Sequence, residues 1–136
     1  LYTELLPKEI GFYQDPYSDF GRLAMELWRA CRLVVDTGIH AKKWTREQAI
    51  QYLVDNTPNA KTEAVNAIER YIVMPSQATA YKIGMIKLVQ LREKARQALG
   101  EKFDIREYHD VVLKNGAVPL DVLEQLVDDY IKAKKG

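Results

Sequence analysis

Tyr71-Ile72-Val73-Met74-Pro75-Ser76-Gln77-Ala78-Thr79-Ala80-Tyr81-Lys82-Ile83-Gly84 is the stretch that decides how the chain is organised. Proline clashes with a helical turn that precedes it and is tolerated at a first helical position, so Met74-Pro75 ends one helix and opens another. The stretch reads as a bend between helices. Gln77, Tyr81 and Gly84 then fall at i, i+4 and i+7, which places a carboxamide, a phenol and a bare backbone on one helix face. Such a face can pack or bind.

Working outward, Ala64, Val65, Ile68, Tyr71 and Ile72 form an apolar stripe before the bend, and Tyr81, Gly84, Leu88, Leu91, Ala95 and Leu99 form one after it. Gly100 is a natural stop for the second. Towards the N-terminus, Leu1, Leu5 and Leu6 suggest the end of a helix that Gly11 closes, and Asp15-Pro16-Tyr17-Ser18-Asp19 is turn chemistry in which Ser18 or Asp19 can cap the next helix. That helix is expected to reach Thr37, with Phe20, Leu23, Ala24, Leu27, Cys31, Val34 and Val35 inward and Arg22, Glu26 and Arg29 opposite. Trp28, Arg32 and Asp36 form a separate row along its border. Gly38 permits an irregular backbone after it, which puts His40 near a helix end. Thr45-Arg46-Glu47-Gln48 and Asp104-Ile105-Arg106-Glu107 have the form of capping boxes, Asn115-Gly116 is a stop, and Pro119 starts a last helix. No alternating strand pattern or internal repeat appears. The expected class is all-α, an irregular bundle of about six helices in one domain spanning residues 1–136.

The totals set limits on function. Of 136 residues, 47% are apolar, enough for a core, and 20 basic against 19 acidic residues leave a net charge of +1 with mixed signs. No global field argues for nucleic acid. Lys132, Lys134 and Lys135 complement the dipole at a helix end. Cys31 is the only cysteine, which excludes an internal disulfide and a thiolate metal cluster, and its apolar neighbours make it a small buried hydrophobe. No apolar run approaches the roughly 20 residues of a membrane span. The chain opens on Leu1 without a signal-like segment and reads as a piece of something longer, so its address, cytoplasmic or cell-envelope, is left open.

Two histidines do not make a zinc site, which usually takes three protein ligands. His40 lies where the Arg32 and Asp36 row meets Gly38, and reads either as a satisfied hydrogen-bonding residue or as a catalytic one. Tyr81 is either a core tyrosine with a tied hydroxyl or a donor to a developing oxyanion, a role that needs a fixed neutral donor. Gln77 can satisfy a buried backbone group or hold a substrate amide.

Four ordered blocks resemble the bacterial family called domain of unknown function 885: Gly11 to Tyr17 (Gly-Phe-Tyr-Gln-Asp-Pro-Tyr), Glu26 to His40, Arg70 to Gly84, and Phe103 to Asp110. Together they span nearly the whole chain. Ser76 departs from the family pattern, which usually has glycine after the proline, and is expected to restrict the bend slightly. The family looks like zinc metallopeptidases of the gluzincin type, largely helical, whose metal is held by a His-Glu motif, a Pro-Gly-His-His motif and a later Glu-Gly-Trp-Ala segment. None of those motifs is in this chain. Leu1-Tyr2-Thr3-Glu4 looks like the tail of the last, which makes Glu4 an outer carboxylate at most.

What the resemblance implies is the C-terminal part of a larger helical peptidase-like domain, inactive alone, whose partner is the N-terminal part of the same polypeptide. Zinc and a peptide substrate belong to the complete protein, and no cofactor is expected in this part. His40 and Tyr81 are the implied oxyanion or carbonyl donors. Arg32, Asp36, Arg70, Tyr71, Gln77 and Lys82 are the implied substrate-binding residues, with Arg32 or Arg70 on a carboxylate and Asp36 orienting His40 or pairing with Arg32. The competing reading is a non-enzymatic helical module that binds a peptide or partner domain through an apolar groove. An uncovered apolar patch also leads to the expectation of self-association.

Overall fold

A computed structural model describes the whole chain, Leu1–Gly136. It is all-α, as expected, with seven helices and no strand: α1 (Tyr2–Glu9), α2 (Pro16–Lys42), α3 (Arg46–Asn56), α4 (Lys61–Val73), α5 (Ala80–Leu99), α6 (Ile105–Lys114) and α7 (Leu120–Lys135). These fall into two compact units, Leu1–Met85 and Ile86–Gly136.

In the first unit, α2 opens on Asp15, whose carboxylate accepts the amides of Tyr17 and Ser18, both at 3.2 Å. The expected caps, Ser18 and Asp19, are already inside the helix. Pro16 explains the shift, because its ring presets the first helical position and leaves one fewer amide to satisfy. Nor does α2 stop at Thr37. Gly38 continues the helix and lies against the Trp44 indole, where a Cβ would stand 2.5 Å from Cδ2. Its role is close packing. Lys43, in the left-handed region at φ 58°, ends the helix, and the Trp44 amide donates to the Gly38 carbonyl at 2.9 Å.

The buried face of α2 is also rotated from the expected one. Cys31, Val35, Arg32 and Asp36 are buried, while Phe20, Leu23, Leu27 and Val34 are exposed, Phe20 by 64%. The apolar stripe of α2 is broad enough that periodicity alone admits either edge as the inward one. Packing against α3 and α4 selects the edge that carries the Arg32–Asp36 row. Ala49, Ile50 and Leu53 from α3, and Ala64, Ile68 and Tyr71 from α4, complete this core. α3 begins with the expected capping box: Thr45 Oγ1 accepts the Gln48 amide at 3.1 Å, and Gln48 Oε1 accepts the Thr45 amide at 2.9 Å.

The bend differs from its sequence reading. Pro75 does not start a helix: α4 ends at Val73, α5 begins at Ala80, and a turn fills the interval. Ser76 has φ 71°, which a right-handed helix cannot continue. Its amide donates to Asp36 Oδ1 at 3.2 Å, and Thr79 Oγ1 donates to its carbonyl at 2.7 Å. Gln77 therefore sits in a turn, not on the helix that carries Tyr81.

In the second unit, Leu91, Ala95 and Leu99 of α5, Tyr108 of α6 and Leu123, Val127 and Ile131 of α7 are buried. The Tyr108 hydroxyl donates to the Leu88 carbonyl at 2.7 Å, and Lys87–Glu124 and Lys94–Asp128 ion pairs join α5 to α7. Gly100, at φ 54°, follows the end of α5, and Gly116, at φ 67°, follows α6. Asp104 caps α6 through the Arg106 amide at 2.8 Å, but the expected reciprocal half is replaced. Glu107 instead accepts from the Tyr130 hydroxyl and pairs with Lys134 of α7.

A non-glycine residue in the left-handed region costs about 1–2 kcal/mol, partly offset by the extra freedom glycine loses on folding, about 0.5–1 kcal/mol. Ser76→Gly should therefore raise unfolding free energy by up to about 1 kcal/mol, read as a higher urea midpoint with an unchanged slope. A lower midpoint would show that the Ser76 side chain stabilises this turn.

Candidate functional site

Arg32, Asp36 and His40 follow one another at i, i+4 and i+8 on α2, so one inward row carries a guanidinium, a carboxylate and an imidazole. α4 brings Tyr71 to this row, the turn brings the Ser76 amide and Gln77, and the first turn of α5 brings Tyr81. Side chains 45 residues apart in sequence thus meet, as Arg32 Nη2 donates to Gln77 Oε1 at 2.8 Å.

Arg32 is 4% exposed and lies against two aromatic rings, its Cζ 5.2 Å from the Tyr71 centroid and 4.7 Å from that of Tyr81. These cation–π contacts favour a charge that water no longer reaches. Arg29 approaches the Tyr81 ring at 5.4 Å, and Arg70 the Tyr71 ring at the same distance. No carboxylate pairs with Arg32, and its Nε–H is buried without a partner. Burial first, and then the Arg29 and Arg70 cations, push the Arg32 guanidinium below its ordinary pKa. The Tyr71 hydroxyl and Asp36 Oδ2 are likewise buried and unpartnered.

Asp36 is 2% exposed, and its Oδ1 lies 3.5 Å from His40 Nε2 as well as on the Ser76 amide. His40 Nε2 is 3.0 Å from the Tyr71 carbonyl. A carbonyl only accepts, so Nε2 carries the hydrogen and donates. In the neutral ring Nδ1 is then an acceptor. His40 thereby ties the end of α2 to α4, and Asp36 lies beside the same ring nitrogen and makes no pair with Arg32. Tyr81 is 46% exposed, and its hydroxyl oxygen accepts from Gln77 Nε2 at 3.4 Å, which leaves its hydrogen available.

Residues 1–127 match the family described as bacterial protein of unknown function (DUF885). The chain belongs to this family. It is also similar to a solved structure from Colwellia psychrerythraea provisionally described as a lipoprotein, with 53% identity and a TM-score of 0.94 over 97% of this chain. It spans 23% of the length of that relative. No curated protein matches it.

Within this DUF885 chain, the sequence-predicted residues Arg32, Asp36, His40, Tyr71, Gln77 and Tyr81 are brought together, with Arg70 at the edge. Lys82 is engaged elsewhere, since its Nζ pairs with Glu26 Oε1 at 2.7 Å, and Arg22 joins the same carboxylate at 3.1 Å. Glu4 is not in the cluster and lies 3.7 Å from the Leu1 amine. No three His, Cys, Asp or Glu side chains gather anywhere in the chain as a metal would require, so its own residues do not fit a zinc site. Arg29 and the Ser76 amide are additions that the sequence reading lacks. Periodicity sets Arg29 opposite the core, although its position three residues before Arg32 puts both on one side of α2; a backbone amide leaves no mark in sequence.

The hydrogen bond from Lys82, above all, holds the Glu26 carboxyl below its ordinary pKa of 4.5, against the opposing effect of burial. A carboxyl lowered in the folded state stabilises above its unfolded pKa, and that contribution disappears as pH falls through the folded value. Lys82→Met should cost about 0.5–1 kcal/mol near pH 7, with the difference from wild type narrowing as pH falls below the ordinary 4.5 in urea unfolding. A gap independent of pH would assign the loss to packing of the lysine stem.

Proposed function

We propose that this chain forms the substrate-binding wall of a peptide hydrolase and that Tyr81 is its catalytic hydrogen-bond donor. The observation that carries this reading is the Tyr81 phenol: half-exposed, its ring against the Arg29 and Arg32 guanidinium groups, and with its own hydrogen undirected. A neutral donor held beside two cations can stabilise negative charge developing on a carbonyl oxygen as a nucleophile adds. It need not lose its proton to do so. His40, whose Nε2–H is committed to the Tyr71 carbonyl, positions the end of α2 in this scheme. The resemblance to gluzincin-type peptidases supplies the choice of a peptide bond and of zinc, and the ligands for that metal are assigned to segments outside this sequence. The relative from Colwellia psychrerythraea, more than four times as long as the matched region, is consistent with a catalytic domain of which this chain is one part.

A second reading is favoured by a different observation. Phe20, Leu23, Leu27 and Val34 line one exposed apolar face of α2, which suits a non-enzymatic module that docks a partner helix or domain. The two readings separate experimentally. In the longer protein, Tyr81→Phe should lower peptide turnover by about 10²–10³-fold with unchanged thermal stability. Unchanged turnover would remove Tyr81 from the chemistry. For the 136-residue chain, sedimentation velocity should show self-association that Leu23→Lys with Leu27→Lys abolishes. A strictly monomeric wild type would count against α2 as a docking face.

A further inference from the structure

We propose that Arg32 is the base of a carboxylate-binding site in which the side chain of Gln77 holds the place of the ligand. The guanidinium has two in-plane teeth on the Nε side, Nε–H and one Nη2–H, which together match the two oxygens of a carboxylate. Gln77 Oε1 takes only the Nη2 tooth, at 2.8 Å, and the Nε tooth is buried with no acceptor. The amide oxygen, seated on Nη2, leaves the Nε–H unfilled. Leaving a buried charged donor unpaired costs more than leaving a neutral one, so a fold with no use for the open tooth gains by closing it.

Three features identify the ligand. The cations acting on Arg32 are Arg29 and Arg70, and the Asp36 carboxylate one turn along α2 is engaged by the Ser76 amide, so three cations face one carboxylate and an anion is favoured. Tyr71 and Tyr81 lie against the guanidinium, so a ligand meets it along its edge, a geometry that suits a planar carboxylate better than a tetrahedral phosphate. The occupant is replaceable: Gln77 stands in the turn between helices and is only partly buried, so moving its carboxamide frees the Nη2 tooth. The assignment of that carboxylate to a peptide substrate rests on the hydrolase reading above. Binding itself does not, and it is tested on this chain alone.

The test is titration of the 136-residue chain with N-acetylglycine, its neutral amide N-acetylglycinamide, and inorganic phosphate, followed by the Arg32 Nε–H resonance and by melting temperature. N-acetylglycine is expected to shift the resonance saturably and raise the melting temperature, with N-acetylglycinamide inert and phosphate at least about tenfold weaker, equivalent to about 1.4 kcal/mol. Arg32→Lys removes the fork while keeping the charge and should weaken N-acetylglycine at least about tenfold. Gln77→Glu supplies both oxygens from within the chain. It should raise the melting temperature and abolish the response to N-acetylglycine, an outcome that stands even if Arg32→Lys does not fold. The proposal is overturned if wild type shows no saturable response, if the neutral amide binds as well as the acid, if phosphate binds as tightly, or if Gln77→Glu responds like wild type. Carboxylate binding by this chain, together with a longer protein that cleaves no peptide, would leave the site standing and remove the hydrolase reading.

Discussion

The Asp36 carboxylate accepts the amide of Ser76, forty residues further along the chain, and this bond sets where the turn after α4 lies over α2. A buried carboxylate needs donors to replace the water it has lost. Here one oxygen has the Ser76 amide with His40 Nε2 nearby, and the other has none. Everything else in the cluster follows from that placement. With Ser76 held, Gln77 reaches Arg32, Tyr81 is delivered beside the guanidinium, and the His40 ring closes the other end against the Tyr71 carbonyl.

Much of the fold is legible in the sequence because local chemistry and the final structure agree. The Thr45–Gln48 capping box, the stops at Gly11, Gly100 and Gly116, and the Pro119 start are all decided within a few residues. The departures share a different cause. Local rules make Pro75 a helix start, yet a carboxylate on α2 captures the next amide and Ser76 adopts a left-handed backbone. The same rules make Gly38 a helix end, but the Trp44 indole requires the space. In each case a partner distant in sequence or beyond the helix overrides the propensity.

The site is legible in its members more than in its geometry. Trp28, Arg32 and Asp36 are visible as one row by spacing, His40 is read only as lying near a helix end, and Tyr71, Gln77 and Tyr81 come from the resemblance and from the bend. What sequence does not disclose is the partition of contacts: Lys82 to Glu26, Asp36 to the turn, and Arg32 to an amide oxygen rather than to a carboxylate. Those choices depend on the side of α2 that turns inward. The exposed positions of Phe20 and Leu23 show that hydrophobicity alone does not choose it.

Arg32 and Asp36 stand one helical turn apart, the spacing at which an arginine and an aspartate pair most readily. They do not pair, although both are buried and each keeps an unpartnered atom. A mutual ion pair through the unpartnered Asp36 Oδ2 would neutralise both charges and leave Oδ1 on the Ser76 amide, but it would fill the guanidinium edge. On the proposed carboxylate site, keeping them apart divides two roles between them, with the Asp36 carboxylate holding the Ser76 amide and the Arg32 cation left for a ligand. Such a division lowers the stability of the empty protein and gives an incoming anion a partner already desolvated and oriented, so less of its binding energy goes to arranging the site.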